Sequence, residues 1–284
     1  MNHGKSRIAQ VSADGSSISF YLKVGSLHLL SSDNRADRLI EKGGVTQPHV
    51  LHAWEQVIAL MQPAVVLDVG ANHGEMIFPL LFRPDTVVIM FEPNIALAEL
   101  LKESAREHIN GSQIRVEALA VSDTTGQGTL FLDMKWSGTS SLDYKMPDAR
   151  YKGEGEQHYK LQQIEKVSVD DYLVKIAAPP GPLAMKIDIE GHEPHVVAGA
   201  RGALASRPFT LLVEFDPNQL QLAGLQPEAF LEQLLEIGSV FLVGQDGGFS
   251  PVSQSRDLDI RHGDLLVTSS EAVSRFAMNA GMGR

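Results

Sequence analysis

Four short apolar runs in this chain of 284 residues end in carboxylates. "VVLDVG" carries Asp68, "VVIMFE" ends in Glu92, "LAMKIDIE" holds Asp188 and Glu190, and "LLVEFD" holds Glu214 and Asp216. In open α/β sheets, ligands sit beyond the carboxyl ends of the strands, so these acids are expected at one rim. An acidic rim suits a ligand bearing sulfonium and ammonium groups, a divalent metal, or a base that takes a hydroxyl proton.

The first run continues as "ANHGEMIFPLL". Gly70 can take a positive φ and let the backbone approach a ligand. A helix predicted over 74–82 would offer free N–H groups to an anion. Asn72 stands where a dinucleotide fingerprint has its second glycine, and no Lys-Ser/Thr follows to make a P-loop. The loop therefore suits a carboxylate, with Asp68 nearby for an ammonium. Both groups occur in an amino acid, or in the methionine part of S-adenosylmethionine. Glu92 follows Asp68 by 24 residues, a spacing at which an acid accepts hydrogen bonds from both ribose hydroxyls. Ala118 and Leu119, after the third run, are candidate walls for an adenine ring.

Strand alternation places Lys186, Asp188 and Glu190 on one face. Lys186 is expected to root an ion-pair network, because unpartnered charges in a central strand cost several kcal/mol each. His73 and His195 read as surface or capping residues, and His192 as a candidate base. "GTSSL", from Gly138 to Leu142, offers hydroxyls for substrate contacts.

The elements that must position these residues follow from periodicity. Residues 1–17 are polar and expected to be mobile; apolar runs flank Gly25-Ser26 as in a hairpin; a helix runs from Pro48 to Pro63. Strands and helices then alternate, with helices over 74–82, 94–109, 192–205 and 227–237. "GSVFLVG" and "GDLLVTS" are expected to pair antiparallel at the sheet edge. The fold class is a doubly wound, Rossmann-like α/β domain over 63–270. An extension over 1–62 packs on it, and 271–284 forms a tail. The segment 18–62 offers a homodimer contact. Residues 133–166, long, polar and set with Trp136, Tyr144, Tyr151 and Tyr159, form an insertion that is either a lid or an idle surface loop.

A net charge of −11 and a pI near 5.3 weigh against nucleic-acid partners. Without cysteine there is no disulfide, thiolate nucleophile or cysteine–zinc site. The first residues lack the apolar core of a signal peptide, and no stretch reaches the roughly 20 apolar residues of a transmembrane helix. The expected location is cytoplasmic.

In order and spacing, "VLDVGANHG", "FEPN", "ALAVSDTTG", "GTSSL", "VSVDDYL", "MKIDIEGHEPHVVAGA" and "LLVEF" resemble the FkbM-type family of S-adenosylmethionine-dependent methyltransferases, over about 45–269. The resemblance implies a seven-stranded sheet of order 3-2-1-4-5-7-6 with strand 7 antiparallel. It also implies methyl transfer, usually to a hydroxyl of a sugar, glycolipid or secondary metabolite. The family's cofactor loop maps onto Asp68, Gly70, Ala71, Asn72 and Gly74, its ribose acid onto Glu92, and its fourth-strand motif onto Lys186, Asp188, Glu190, Gly191 and Glu193. The aromatic-Glu-Pro that often precedes the family's first helix is here Thr46-Gln47-Pro48.

Asp188 is expected to face the transferred methyl group, Glu190 and Glu214 to arrange the acceptor, and Lys186 to orient the carboxylates. A metal-free site is preferred to one in which Asp188, Asp216 and Asn218 hold Mg²⁺. The alternatives are an RNA ribose 2′-O-methyltransferase, disfavoured by charge, and a non-catalytic cofactor-binding protein. A nicotinamide dehydrogenase is disfavoured by Asn72.

Overall fold

The computed structural model describes residues 9–143, 159–254 and 262–282. The chain opens with β1 (Ala9–Val11), β2 (Ser17–Tyr21) and β3 (Ser26–Leu30), an antiparallel sheet that includes the expected hairpin. Strand β1 thus occupies part of the stretch expected to be mobile. Helix α1 (Asn34–Glu41) follows, its first turn capped by Asp33, whose side chain accepts from the Arg35 N–H. Helix α2 (Pro48–Met61) starts at a proline, which suits the first helical turn, and buries Val50, Ala53, Trp54, Val57 and Ile58.

The alternating region begins with β4 (Val65–Val69), β5 (Val87–Phe91), α3 (Ile95–Glu107), β6 (Ile114–Glu117), β7 (Ala120–Val121) and β8 (Gly126–Asp133). It continues through β9 (Tyr159–Val167), α4 (Val169–Lys175), β10 (Leu183–Ile187), α5 (Glu193–Ala198), α6 (Arg201–Ser206), β11 (Phe209–Phe215) and α7 (Pro217–Leu222). Helix α8 (Pro227–Ile237), β12 (Ser239–Val243), β13 (Phe249–Val252), β14 (Gly263–Thr268) and α9 (Glu271–Met282) complete it.

The main sheet has the order β13-β12-β14-β11-β10-β4-β5-β6. Strands β11, β10, β4, β5 and β6 run parallel, and β14 is antiparallel to β11 and β12. This is the expected Rossmann-like order with one more strand, β13, at the edge. Strands β12 and β14 pair antiparallel as expected, with β14 between β11 and β12, but β13 and not this pair forms the edge. Both faces are covered, by apolar clusters around Trp54 and Phe78 on one side and Phe91 and Tyr172 on the other.

Other expectations change. No helix forms over 74–82: the Phe78 N–H reaches the Gly74 carbonyl at 3.0 Å, but Pro79 has no N–H to give to Glu75, and the chain leaves after one turn. The helix expected over 192–205 breaks into α5 and α6 around Gly199-Ala200. The segment expected as a C-terminal tail forms α9, which packs on β13 and α2. The insertion is not structureless throughout, because β9 pairs with β8 and β7 in a third sheet. Its central residues 144–158, with Tyr144 and Tyr151, lie outside the described residues. Within those described, no helix is long and apolar enough to cross a membrane.

Candidate active site

Because β11, β10, β4 and β5 are adjacent and parallel, their carboxyl ends open on one rim, as the four acidic runs require. A cavity of about 660 Å³, counting its open mouth, lies there. Its wall includes Gly70 and Asn72 after β4, Glu92 after β5, Leu119 after β6, and Asp188 and Glu190 after β10. Ala118 is not in that wall; its neighbours Ala120 and Val121 are.

At the first strand end, Gly70 has φ +82°. A Cβ there would stand 2.1 Å from the Asp188 carbonyl oxygen and 2.7 Å from Ile189 Cγ2. The glycine is needed for packing β4 against the end of β10, and not only for access to a ligand. Ala71 is buried, and Gly74 lies under the ring of Phe78. Asn72 has φ +49°, a left-handed conformation that asparagine tolerates better than most residues, which accounts for its standing at a glycine position. Its Nδ2 donates to Ser137 Oγ at 2.9 Å and its N–H to Glu92 at 2.8 Å, while its Oδ1 is buried with no partner.

Glu92 accepts a second N–H, from Asn94, at 2.9 Å. Burial outweighs these two donors and pushes its carboxyl up to about 7. Asp68, 1% exposed behind the glycine loop, has neither oxygen hydrogen-bonded. Burial raises it to about 6, opposed by the Lys186 charge and assisted by Asp188 and Glu75.

On β10, Lys186 and Asp188 share a face as alternation predicts, and Lys186 Nζ donates to Asp188 Oδ2 at 2.8 Å. Burial alone would raise Asp188, but Lys186 and Arg35 outweigh it and hold it below the usual carboxylate range. Glu214 moves the other way, raised well above its ordinary value by burial and then by the charges of Asp188 and Glu190. Asp188, Glu190 and Glu214 each present an oxygen within 4.8 Å of the others. The set expected to hold a metal is different. Asp216 caps α7, accepting from the N–H groups of Asn218 and Gln219.

Glu190 leaves the strand with φ +61°, a strained value for a non-glycine residue. The turn is held by Glu193, which accepts the N–H groups of Ile189 and Gly191. His192 lies in the cavity wall, but its Nε2 is 3.0 Å from Ser122 Oγ and its Nδ1 is 2.9 Å from Asp143, and its ring stacks on His195. Both ring nitrogens are thus engaged within the protein. The hydroxyls of "GTSSL" are also used internally: Thr139 bonds Asp133, Ser140 accepts the Asp133 N–H, and Ser141 donates to the Glu190 carbonyl.

Periodicity did not point to the residues that the N-terminal segment contributes. Asp33 lies 3.0 Å from His73 Nε2 and accepts the Ser137 N–H at 3.2 Å. Arg35 also lines the cavity and pairs with Glu75 at 2.7 Å, and Thr46 donates to Glu75 through its N–H and its hydroxyl. The cap sequence "SSDN" before α1 was the one available signal.

The methyltransferase FkbM domain, taken as a sequence family, matches residues 68–242. The chain belongs to the FkbM methyltransferase family. No curated protein matches it. Among solved structures, this FkbM-family chain is similar to the methyltransferase FkbM from Methylobacillus flagellatus KT, at 17% identity and TM-score 0.43 over 73% of this chain and 44% of that one. The chain thus spans less than half the length of the Methylobacillus protein. It is also similar to the O-methyltransferase TomG from Streptomyces achromogenes, involved in tomaymycin synthesis and solved with S-adenosylmethionine, at 14% identity and TM-score 0.41 over 79% and 80% of the two chains. The O-methyltransferase from Bacillus cereus, solved with S-adenosylhomocysteine, has 11% identity and TM-score 0.41 over 78% and 81%.

Proposed function

We propose that this FkbM-family chain binds S-adenosylmethionine in the rim cavity and transfers its methyl group to a hydroxyl of a sugar, glycolipid or secondary metabolite. The observation that carries the assignment is Glu92, fixed by two backbone N–H groups at the end of β5 and facing the cavity beside the glycine loop. An acid held this way retains lone pairs for a ribose diol and repels a 2′-phosphate. Two further features fit the group. The unpartnered Asn72 Oδ1 is an acceptor for an ammonium, and the carboxylates around Asp68 and Asp188 favour a cationic ligand. Leu119, Ala120 and Val121 supply apolar wall for adenine.

The cofactor supplies an electrophilic methyl group. What remains for the protein is to align an acceptor oxygen, exclude water and receive a proton. Asp188, ionised and oriented by Lys186, faces the cavity and is placed to accept the acceptor hydroxyl's hydrogen bond. Glu214 and Glu190 complete the acidic pocket around it.

Isothermal titration with S-adenosylhomocysteine tests the assignment. Micromolar binding is expected, weakened in Glu92→Ala by about 2–4 kcal/mol for two lost charge-assisted hydrogen bonds. No binding by the parent protein, or equal binding by a folded Glu92→Ala, overturns it. The grouping of Asp188, Glu190 and Glu214 also supports a second reading, in which these three carboxylates would hold Mg²⁺ and the ion would supply Lewis-acid activation of the acceptor hydroxyl. In that case turnover vanishes with EDTA and returns with Mg²⁺.

A further inference from the structure

Arg35 lies on α1, before the matched domain, yet its side chain lines the cavity with Gly70, Asn72 and Asp188. Its Nη2 donates to Glu75, while its Nε is buried with no partner. Glycine at 138 makes room for the fork: a Cβ there would stand 2.7 Å from Arg35 Nη1 and 3.0 Å from Trp136 Nε1. A guanidinium enclosed in this way presents several donors in a fixed plane, which matches a carboxylate.

Its surroundings have the opposite sign. Glu92, Asp188 and Glu190 share the cavity wall, and the Lys186 ammonium is engaged by Asp188. The cofactor proposed above has an anionic group, the carboxylate of its methionine part. The helix N-terminus that the sequence suggested for that anion is absent, because no helix starts at Gly74. We infer that Arg35 binds the methionyl carboxylate of the cofactor, so that the segment before the methyltransferase core, and not the glycine loop, holds the amino-acid end. Glu75, held by Thr46, is the positioning residue that fixes the plane of the guanidinium. The inference rests on the cofactor assignment and adds to it a residue outside the family domain.

Two ligands separate the questions: S-adenosylhomocysteine, and its decarboxylated analogue, which keeps the ammonium and loses the carboxylate. By titration calorimetry the parent protein should prefer S-adenosylhomocysteine by about 10- to 100-fold, the usual scale of a charge-assisted bidentate contact. Arg35→Gln should abolish that preference by weakening S-adenosylhomocysteine alone, the analogue serving as the measure of an intact pocket. Arg35→Lys should keep part of the preference. Gly138→Ala, which displaces the fork without removing it, should reduce it. A parent protein that binds neither ligand overturns the cofactor assignment and this inference with it. A parent that binds both, with Arg35→Gln either unchanged or weakened equally for both, overturns the role of Arg35 alone.

Discussion

At the residue scale, the site contains two adjacent carboxylates in opposite states. Asp188 is held ionised by Lys186 and Arg35, while burial and the Asp188 charge keep Glu214 protonated well above the ordinary range. His262, 2.9 Å from Glu214 Oε1, is its partner on the exposed side. An ionised Asp188 is a weak base but a firm acceptor for a hydroxyl, so its contribution is alignment and charge at the acceptor oxygen. Asp188→Asn keeps the shape and removes the charge. Turnover should fall by about 100-fold or more, the scale of losing one preorganised electrostatic contact at the reacting oxygen, while affinity for S-adenosylhomocysteine, which lacks the sulfonium charge, should fall by no more than about 3-fold. Single-turnover rates and calorimetry on the same preparation check both halves. An Asp188→Asn enzyme with full activity would remove Asp188 from the acceptor site. The acids were legible in the sequence because each ends an apolar run. Arg35, Asp33 and Glu75 were not, since their importance comes from contacts between residues 40 and 104 positions apart that no local pattern encodes.

At the element scale, the sequence made strands and long helices visible wherever the period ran undisturbed. Helix α3 was legible, from the Asn94 cap through its buried Leu97, Ala98 and Leu101. The helix expected after Gly74 has the right apolar spacing, yet Pro79 removes the hydrogen bond it needs. Strand β9 was hidden because its residues are largely polar on both faces, so nothing alternates clearly. The loop between β4 and the one-turn segment gives a prediction that belongs to packing. Replacing Gly70 with alanine drives a Cβ into the Asp188 carbonyl, which as backbone cannot swing away, and imposes a positive φ on alanine. The strain and overpacking together should lower the melting temperature of the free protein by about 5–15 °C. Ligand affinity falls with it, because Gly70 sets the distance between β4 and β10. Differential scanning calorimetry without ligand is the decisive measurement. A Gly70→Ala protein that melts normally but binds poorly would show that the glycine serves ligand approach alone.

At the scale of the whole molecule, the rim concentrates negative charge in a chain already at −11. Burial pushes Asp68 to about 6 and Glu92, Glu193 and Asp264 to about 7, against ordinary values near 4. For Asp264, the Asp188 charge adds to burial and Lys186 opposes it. Between about pH 4 and 7 the folded protein therefore holds protons that the unfolded chain has released. Stability falls with rising pH wherever the folded state binds more protons, so the free protein should lose stability as pH rises across this window and level off above it. Asp33 and Asp188 are shifted downward, and their effect lies at more acid pH, outside the window. A cationic ligand reverses the local balance by favouring the ionised acids. S-adenosylmethionine should thus release protons on binding near pH 6.5, more than S-adenosylhomocysteine, which lacks the sulfonium. Binding enthalpies measured in buffers of different ionisation enthalpy report that number directly. Melting temperatures of the free protein from pH 5 to 8 report the stability slope, and Asp264→Asn, which removes one of the raised acids, should flatten it. A free protein whose melting temperature rises from pH 5.5 to 7.5, with no protons released on binding, would mean that the buried acids are already ionised in the native state, and would overturn the coupling between their titration and cofactor binding.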